Sequence, residues 1–427
     1  MRLRPYLTLL RRNRAFSRLF AAQLVSFAGD WFATVAVLGL ALEVTGSPVV
    51  ASMILVVQTG FFALASPVAG VLADRLDRRR LMVAVDIARV PAALVFLLAR
   101  DPGTLWVAFV ATALLSFGAA VFEPTGSASI PNLVDDDDLA TANVLIGSAW
   151  GTMLAVGAAA GGLVAAVFGR DVAFIANAAS FGVSAVLILG IDRPFRRTPP
   201  GHHHESPRGG LRGVTQSIRV VLRFARGNRT LAALLLSKTT FGVGTGVIVL
   251  LAVFGREVFQ GGDVGIGILF AARGLGALLG PFLARSTVGL SERGLILGIA
   301  GSFGIFALGY GLMPAAPWLF LAAACVFVAH LGGGAQWMLS SYGLQRAAPD
   351  EIRGRVFSFD YGLVTLTIAA STFLAGLLAD RLPPAQAVWS IVGLAATAAF
   401  GWILFSRPVW RRPEPMPEQP SDASYPD

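Results

Sequence analysis

The stretch whose reading decides the fold is GVLADRLDRRR, Gly70 to Arg80. It follows a long, mostly apolar run and breaks into two aspartates and four arginines. The chain around it has 427 residues, 55% of them hydrophobic and only 14% charged. A soluble domain carries about 25% charged residues, so this chain lacks the means to coat a water-facing surface. Its apolar residues come in blocks of about twenty, the length that crosses ~30 Å of hydrocarbon. The charged burst is therefore a short polar turn between two membrane spans. Hydrocarbon offers the backbone no water, so each span must satisfy its own amides, which forces helices. Alternating β-type patterning is absent, and a barrel is excluded with it.

Twelve spans are predicted, over 17–42, 49–73, 81–99, 104–124, 140–167 and 172–191, then 230–254, 264–284, 294–313, 317–340, 356–379 and 387–406. Their connecting segments alternate in charge. Arg100, Arg170, Arg256 and Arg381 fall on one side, Arg89, Lys238 and Arg273 lie inside spans, and every other basic residue falls on the opposite side. The positive-inside rule places that arginine-rich side, and both termini, in the cytoplasm. Asp135–Asp138 falls there too, and acidic residues weigh little in that rule. The expected location is the plasma membrane.

The net charge of +9 would suggest nucleic acid in a soluble chain. Here the arginines sit between apolar blocks and read as topology signals and headgroup contacts, so the partner is the lipid bilayer and no nucleic acid. The basic, then apolar N-terminus runs on too long for a cleaved leader and is read as the first span. Cys325 is the single cysteine, which rules out a disulfide within the chain. The domain division expected is 1–191 as one six-helix bundle, 192–229 as a cytoplasmic linker, 230–406 as a second six-helix bundle and 407–427 as a disordered tail. The linker opens with Pro, Gly and Arg. It continues in LRGVTQSIRVVLRFARGNR, whose apolar residues recur at helical spacing and predict an interfacial amphipathic helix.

The two halves echo each other. GVLADRL at Gly70–Leu76 returns as GLLADRL at Gly376–Leu382, one copy ending on the arginine-rich side and the other opposite, as inverted repeats would place them. The opening stretch also resembles the signature loop of the major facilitator superfamily. Gly70, Asp74, Arg75, Arg78 and Arg79 match it, and Asp77 stands where that pattern usually has glycine. FAGDW (Phe27–Trp31), DIAR (Asp86–Arg89), FEPTGSASIPNLV (Phe122–Val134) and PDEIRGRVFS (Pro349–Ser358) resemble the branch of enterobactin exporters and macrolide-efflux proteins. The resemblance implies an all-α membrane fold of two pseudo-symmetric six-helix bundles, with the Gly70–Arg80 loop as a cytoplasmic gate. GAAAGG at Gly157–Gly162 resembles the glycine-rich motif of the superfamily's antiporters, with Ala158 in place of its usual proline.

Ionisable groups inside spans cost about 2.5–3.5 kcal/mol each on insertion scales, so they are functional candidates by default. Asp30 lies about thirteen residues into the first span, roughly 20 Å along it, and with Glu123 is the candidate for proton coupling. Asp86 and Arg89, three apart on one helical face, read as a structural charge pair; Arg89 could instead meet a carboxylate elsewhere or an anionic substrate. Arg273, His330 and Trp337 join Arg89 as candidates for a substrate cavity. Arg273 has no acid nearby in sequence and is open to pairing with Asp30, while His330 fits a packed core residue or a relay. Lys238 and Asp360 read as groups reaching an interface. Trp31, Phe61, Phe62, Phe117, Phe241 and Trp337 are aromatic candidates for the cavity wall, with simple packing as the alternative for most.

No metal-ligand cluster, phosphate-binding loop or nucleophile–base pair stands out, so no enzyme chemistry, metal or cofactor is expected; His202–His204 lack an acid or cysteine framework. The function expected is proton-coupled efflux, by a monomer, of a bulky amphipathic small molecule through alternating access. Importing symport, lipid flipping and a non-transporting receptor remain the alternatives.

Overall fold

A computed structural model describes residues 4–195, 211–288, 291–348 and 350–411. Asparagine, serine and aspartate side chains start several of the helices by accepting from first-turn amides that have no partner within the helix. A short basic helix, α1 (Arg4–Arg12), precedes the first span, α2 (Arg14–Thr45). Asn13 between them caps α2 at Phe16 and donates to the Leu133 carbonyl. The first half continues with α3 (Pro48–Arg75), α4 (Arg78–Leu94), α5 (Trp106–Leu133), α6 (Asp136–Phe168) and α7 (Arg170–Leu189). Helix α8 (Leu211–Gly227) lies in the central segment, where an amphipathic helix is predicted. The second half holds α9 (Arg229–Gly244), α10 (Val247–Val253), α11 (Gly262–Thr287), α12 (Glu292–Leu312), α13 (Leu319–Ala347), α14 (Asp350–Ala379) and α15 (Pro384–Trp410).

Among the described residues, 12 candidate membrane spans are present, with α9 and α10 sharing one, and no strand. The spans match the predicted blocks and extend several residues past most of them. His202–His204 and the tail beyond Arg411 lie outside the described residues, as do the side chains of Gly70, Asp74 and Arg75.

The departure at Asp77 has a structural reason. Its φ is −65° and its side chain accepts from the Arg80 amide, so it is the N-cap of α4. The backbone there needs no glycine, and a capping carboxylate takes the place of conformational freedom. Glycine is needed at Gly169, where a single residue at φ 87° turns the chain from α6 into α7.

The two halves meet along two helix pairs, α6 against α11 and α3 against α14. Small residues make the first approach possible. A Cβ at Gly267 would lie 2.7 Å from the Ala158 carbonyl oxygen, and one at Gly274 would lie 2.5 Å from the Ala155 amide nitrogen. Lipid tails are as apolar as leucine, so helices associate here through close packing of this kind. The glycine-rich GAAAGG run is part of this seam, and α6 passes through it as one continuous helix. Farther along α6 towards the arginine-rich end, a Cβ on Gly147 would have no neighbour within 4 Å. The tight part of the seam therefore runs from mid-membrane to the arginine-poor end.

A valine at Gly267 must push α6 and α11 apart, while one at Gly301, with nothing within 4 Å, meets no obstacle. Gly267→Val is expected to cost about 1–3 kcal/mol, read as a lower unfolding temperature in detergent micelles, with Gly301→Val close to wild type.

Candidate functional site

The first half carries a buried charge cluster between α2, α4, α5 and α7. Arg89 Nη2 donates to both oxygens of Asp30, at 2.9 and 2.8 Å. Its Nη1 donates to Ser26 Oγ at 3.1 Å and lies 3.7 Å from Asp86 Oδ1. The guanidinium stacks 3.9 Å from the centroid of Phe181. Glycine at 118 makes this possible, since a Cβ there would fall 2.7 Å from Arg89 Cδ. Two carboxylates share one cation, and they differ sharply in access. The Asp86 side chain is 0% exposed and that of Arg89 3%, while Asp30 keeps 27% of its surface open. Both Asp86 oxygens lack a hydrogen bond. Asp30 is thus the least enclosed member of an otherwise sealed trio. Glu123 lies within electrostatic reach of Asp30 and Arg89, and Tyr361 of the second half lies within reach of Glu123.

The intrahelical Asp86–Arg89 pair is present, yet Arg89's short contacts run to Asp30 on another helix. Arg89 therefore does not line an open cavity, because its long side chain is spent inside the bundle. His330 is likewise closed off at 5% exposure. It is hydrogen-bonded through Nε2 to Tyr310 OH at 2.7 Å, which makes it a packed core histidine and not a cavity group.

In the second half, Lys238 Nζ donates to Asp360 Oδ2 at 2.6 Å, and both side chains are 0% exposed. The expectation that these two reach an interface is corrected: the only lysine in the chain and a carboxylate 122 positions away satisfy each other inside protein. Trp337 and Phe357 present ring faces to the ammonium at 5.0 and 5.8 Å. Trp337 also meets Tyr361 edge-on at 5.9 Å. Phe241, a candidate for a cavity wall, is packed against Phe306 in the core.

Arg273 does not pair with Asp30. Its guanidinium lies between Trp31, Trp150 and Phe270, 5.7, 5.7 and 5.8 Å from their centroids. Such contacts offset roughly 0.5–2 kcal/mol each, less than an ion pair in good geometry would.

At the arginine-poor end four charges close the two halves together. Arg170 donates to Asp263 and to Glu43, both at 2.8 Å, and Arg256 donates to Glu43 at 2.5 Å and to Asp263 at 3.3 Å. Glu43 and Arg170 come from the first half, Arg256 and Asp263 from the second, so the ring is neutral and crosses the seam. Beside it Asp380, in GLLADRL, accepts from Ser47 Oγ at 3.0 Å and from the Val49 amide at 3.2 Å. A carboxylate at the end of α14 therefore caps the start of α3, favoured by the helix dipole. At the arginine-rich end, Arg78 donates to the Ala128 carbonyl and Arg79 to that of Leu189, at the C-terminus of α7. These bonds stay within the first half.

The chain matches the transmembrane secretion effector family of the major facilitator superfamily over residues 7–423. It belongs to that family. The transporter is similar to the putative bacilysin exporter BacE of Bacillus subtilis, 27% identical over 88% of this chain and 91% of that one. It is similar to macrolide efflux protein A of Streptococcus pyogenes, 25% identical over 86% and 90%. The multidrug efflux pump Tap of Mycobacterium bovis is 28% identical over 86% and 88%. Among solved structures, a POT family transporter covers 93% of this chain and 96% of its own at a TM-score of 0.72 and 12% identity. A bacterial homologue of the lysosomal transporter Spinster, in an inward-facing and unoccupied conformation, has a TM-score of 0.68 at 16% identity, covering 93% and 98%. At these identities the structures speak for the fold alone. The transporter is thus a major facilitator of the efflux type.

Sequence reasoning missed the four-charge ring and the Lys238–Asp360 pair, although a signal existed for each. Arg170 and Arg256 stand against the topological charge bias, so some other interaction had to hold them there. A lone lysine within a span needs a partner for the same reason.

Breaking one side of the Lys238–Asp360 pair strands a buried charge, which costs about 3–5 kcal/mol, whereas replacing both sides with apolar residues is often neutral. Lys238→Met is expected to lower the unfolding temperature strongly, and Lys238→Met with Asp360→Leu to recover most of the loss, both measured in detergent-solubilised transporter.

Proposed function

We propose that this transporter exports bulky amphipathic small molecules from a bacterial cytoplasm, drawing on protons that bind at Asp30. It works by alternating access, with residues 1–191 and 230–406 as two rocking units joined by the 192–229 linker. It sits as a monomer in the plasma membrane with both termini in the cytoplasm, where the positive-inside rule puts the arginine-rich side. The printed names of the efflux relatives support outward transport and a small-molecule cargo.

The observation that carries the coupling is the unequal access within the Asp30–Arg89–Asp86 trio. Asp30 is the member of the trio whose side chain is not sealed, and on this reading it is the one that takes the proton. A proton on Asp30 removes the charge that holds Arg89 Nη2. Arg89 then turns toward Asp86, 3.7 Å from its Nη1 and otherwise beside only the Ser184 hydroxyl. The trio changes from one net negative charge to neutral, and the energy of exposing it to a given face changes with it. That differential is what a proton must supply to shift a two-state equilibrium. Glu123, within electrostatic reach of the same site, adds a second carboxylate that senses the change. The second requirement is a closure that can open. On this reading the four-charge ring and the Asp380 cap are the closure of the arginine-poor end, and outward opening must break both.

Everted membrane vesicles loaded with a pH gradient, interior acidic, test the proposal with a macrolide and a planar dye as cargoes. Wild-type protein is expected to accumulate at least one of them in proportion to the gradient. Asp30→Asn is expected to lose more than nine-tenths of that accumulation while inserting normally. Undiminished gradient-driven uptake in Asp30→Asn removes Asp30 from the coupling, and cargo movement with the proton in the same direction replaces export by symport.

A further inference from the structure

Arg273 lies about eleven residues into α11, roughly 16 Å along the helix at 1.5 Å per residue. The other span cations described above each have a carboxylate: Arg89, Lys238, Arg170 and Arg256. Arg273 has none among the described residues, and its Nε has no hydrogen-bond partner. Its electrostatic neighbours are Tyr310 and His330, which bond each other at 2.7 Å and carry no carboxylate. Asp30, next in sequence to Trp31, is committed to Arg89. What surrounds the cation instead is a set of aromatic faces. Trp31 and Trp150 stand 6.2 Å apart at 74°, and Phe270 lies 6.1 Å from Trp31. Trp150 remains 42% exposed, so the cage is not sealed.

Such an arrangement has the parts of a receptor for an anion that carries a flat apolar body. A guanidinium in a low-dielectric place offers a planar fork of donors matched to a carboxylate or sulfonate. The tryptophans offer apolar faces beside it. The parts also come from both halves: Trp31 and Trp150 belong to α2 and α6, Arg273 and Phe270 to α11. The adjacent residues Gly151 and Gly274 lie in the seam itself, against Leu278 and Ala155. A ligand held there touches both rocking units at once.

We propose that Arg273, Trp31 and Trp150 form an anion subsite, which binds the carboxylate or sulfonate of an amphipathic aromatic monoanion. The assignment deepens the exporter reading, on which it rests for the fate of the ligand, by naming the charge of one class of cargo. Bound anion supplies the counter-charge that Arg273 lacks, and Trp31 is both its ring wall and the residue next to Asp30. Cargo charge and proton state are therefore sensed at neighbouring positions of α2.

The test measures binding without transport. Purified full-length transporter in nanodiscs is dialysed to equilibrium against naphthalene-2-sulfonate or against the trimethylammonium analogue of the same ring, with empty nanodiscs subtracted. Saturable sulfonate binding is expected, about tenfold weaker in Arg273→Gln and only partly recovered in Arg273→Lys, which keeps the charge without the fork. The cationic analogue should bind no better than to Arg273→Gln. If Arg273→Gln does not fold, Trp150→Leu takes its place, with the same tenfold loss expected. Equal sulfonate affinity in wild type and variant, preference for the cation, or no saturable sulfonate binding would overturn the subsite. Failure here leaves gradient-driven export in vesicles standing, and failure of export leaves the binding result standing, so the two are distinguishable.

Discussion

Hydrocarbon cannot hydrogen-bond, and every charge or amide carried into it must be answered by the protein itself. That constraint governs the transporter at each level. It forces the backbone into helices, whose first-turn amides are met by Asn13, Ser47, Asp77, Asn228 and Ser291 as caps. It also gives each buried charge a specific partner. Lys238 has Asp360, Arg89 has Asp30 and Asp86, and the Glu43–Arg170–Asp263–Arg256 ring balances itself. Arg273, ringed by aromatics, is the instructive departure.

The three ionic arrangements differ in what they can do. The Lys238–Asp360 pair is sealed on both sides and joins α9 to α14 within one half, so it serves the integrity of that half. The Asp30 trio lies within the other half and leaves one side chain, that of Asp30, partly exposed, which is why the proton is proposed to bind there. The four-charge ring spans the seam, so its making and breaking is tied to the relation between the halves. Location relative to the seam, and exposure of the side chains, set the three arrangements apart. Glycine and alanine along α6 and α11 set how closely the halves approach, and Asp380 adds a second cross-seam contact built from the repeated GLLADRL.

The architecture was legible because span length and arginine distribution are properties of the chain read in one dimension. Twelve blocks, the central segment with its helix, and the matching of Gly70–Arg80 to a known loop all follow from such patterns. The site was legible in its members but not in its pairings. Asp30 and Arg89 are 59 positions apart, and their meeting depends on how α2 and α4 are rotated about their axes, which apolar blocks do not specify. For the same reason Arg89 and His330, whose charge suggested open space, turned out to be enclosed. Trp150 carried no sequence signal beyond its type, and its role emerges only beside Trp31 and Arg273. Asp77 shows the reverse case, a departure from a family pattern that helix capping explains.

The central claim is that two helical bundles rock about a hollow and that the ring of Glu43, Arg170, Asp263 and Arg256 holds them shut at one end. Double electron–electron resonance tests it most directly, with spin labels in a Cys325→Ser background. One label pair, at Val172 and Val258, reports the ring end; the other, at Asn143 and Leu283, reports the opposite end. Replacing Glu43 by Gln and Asp263 by Asn together should lengthen the first distance and shorten the second in the same molecules. Unchanged distances, or both lengthening together, would contradict the account.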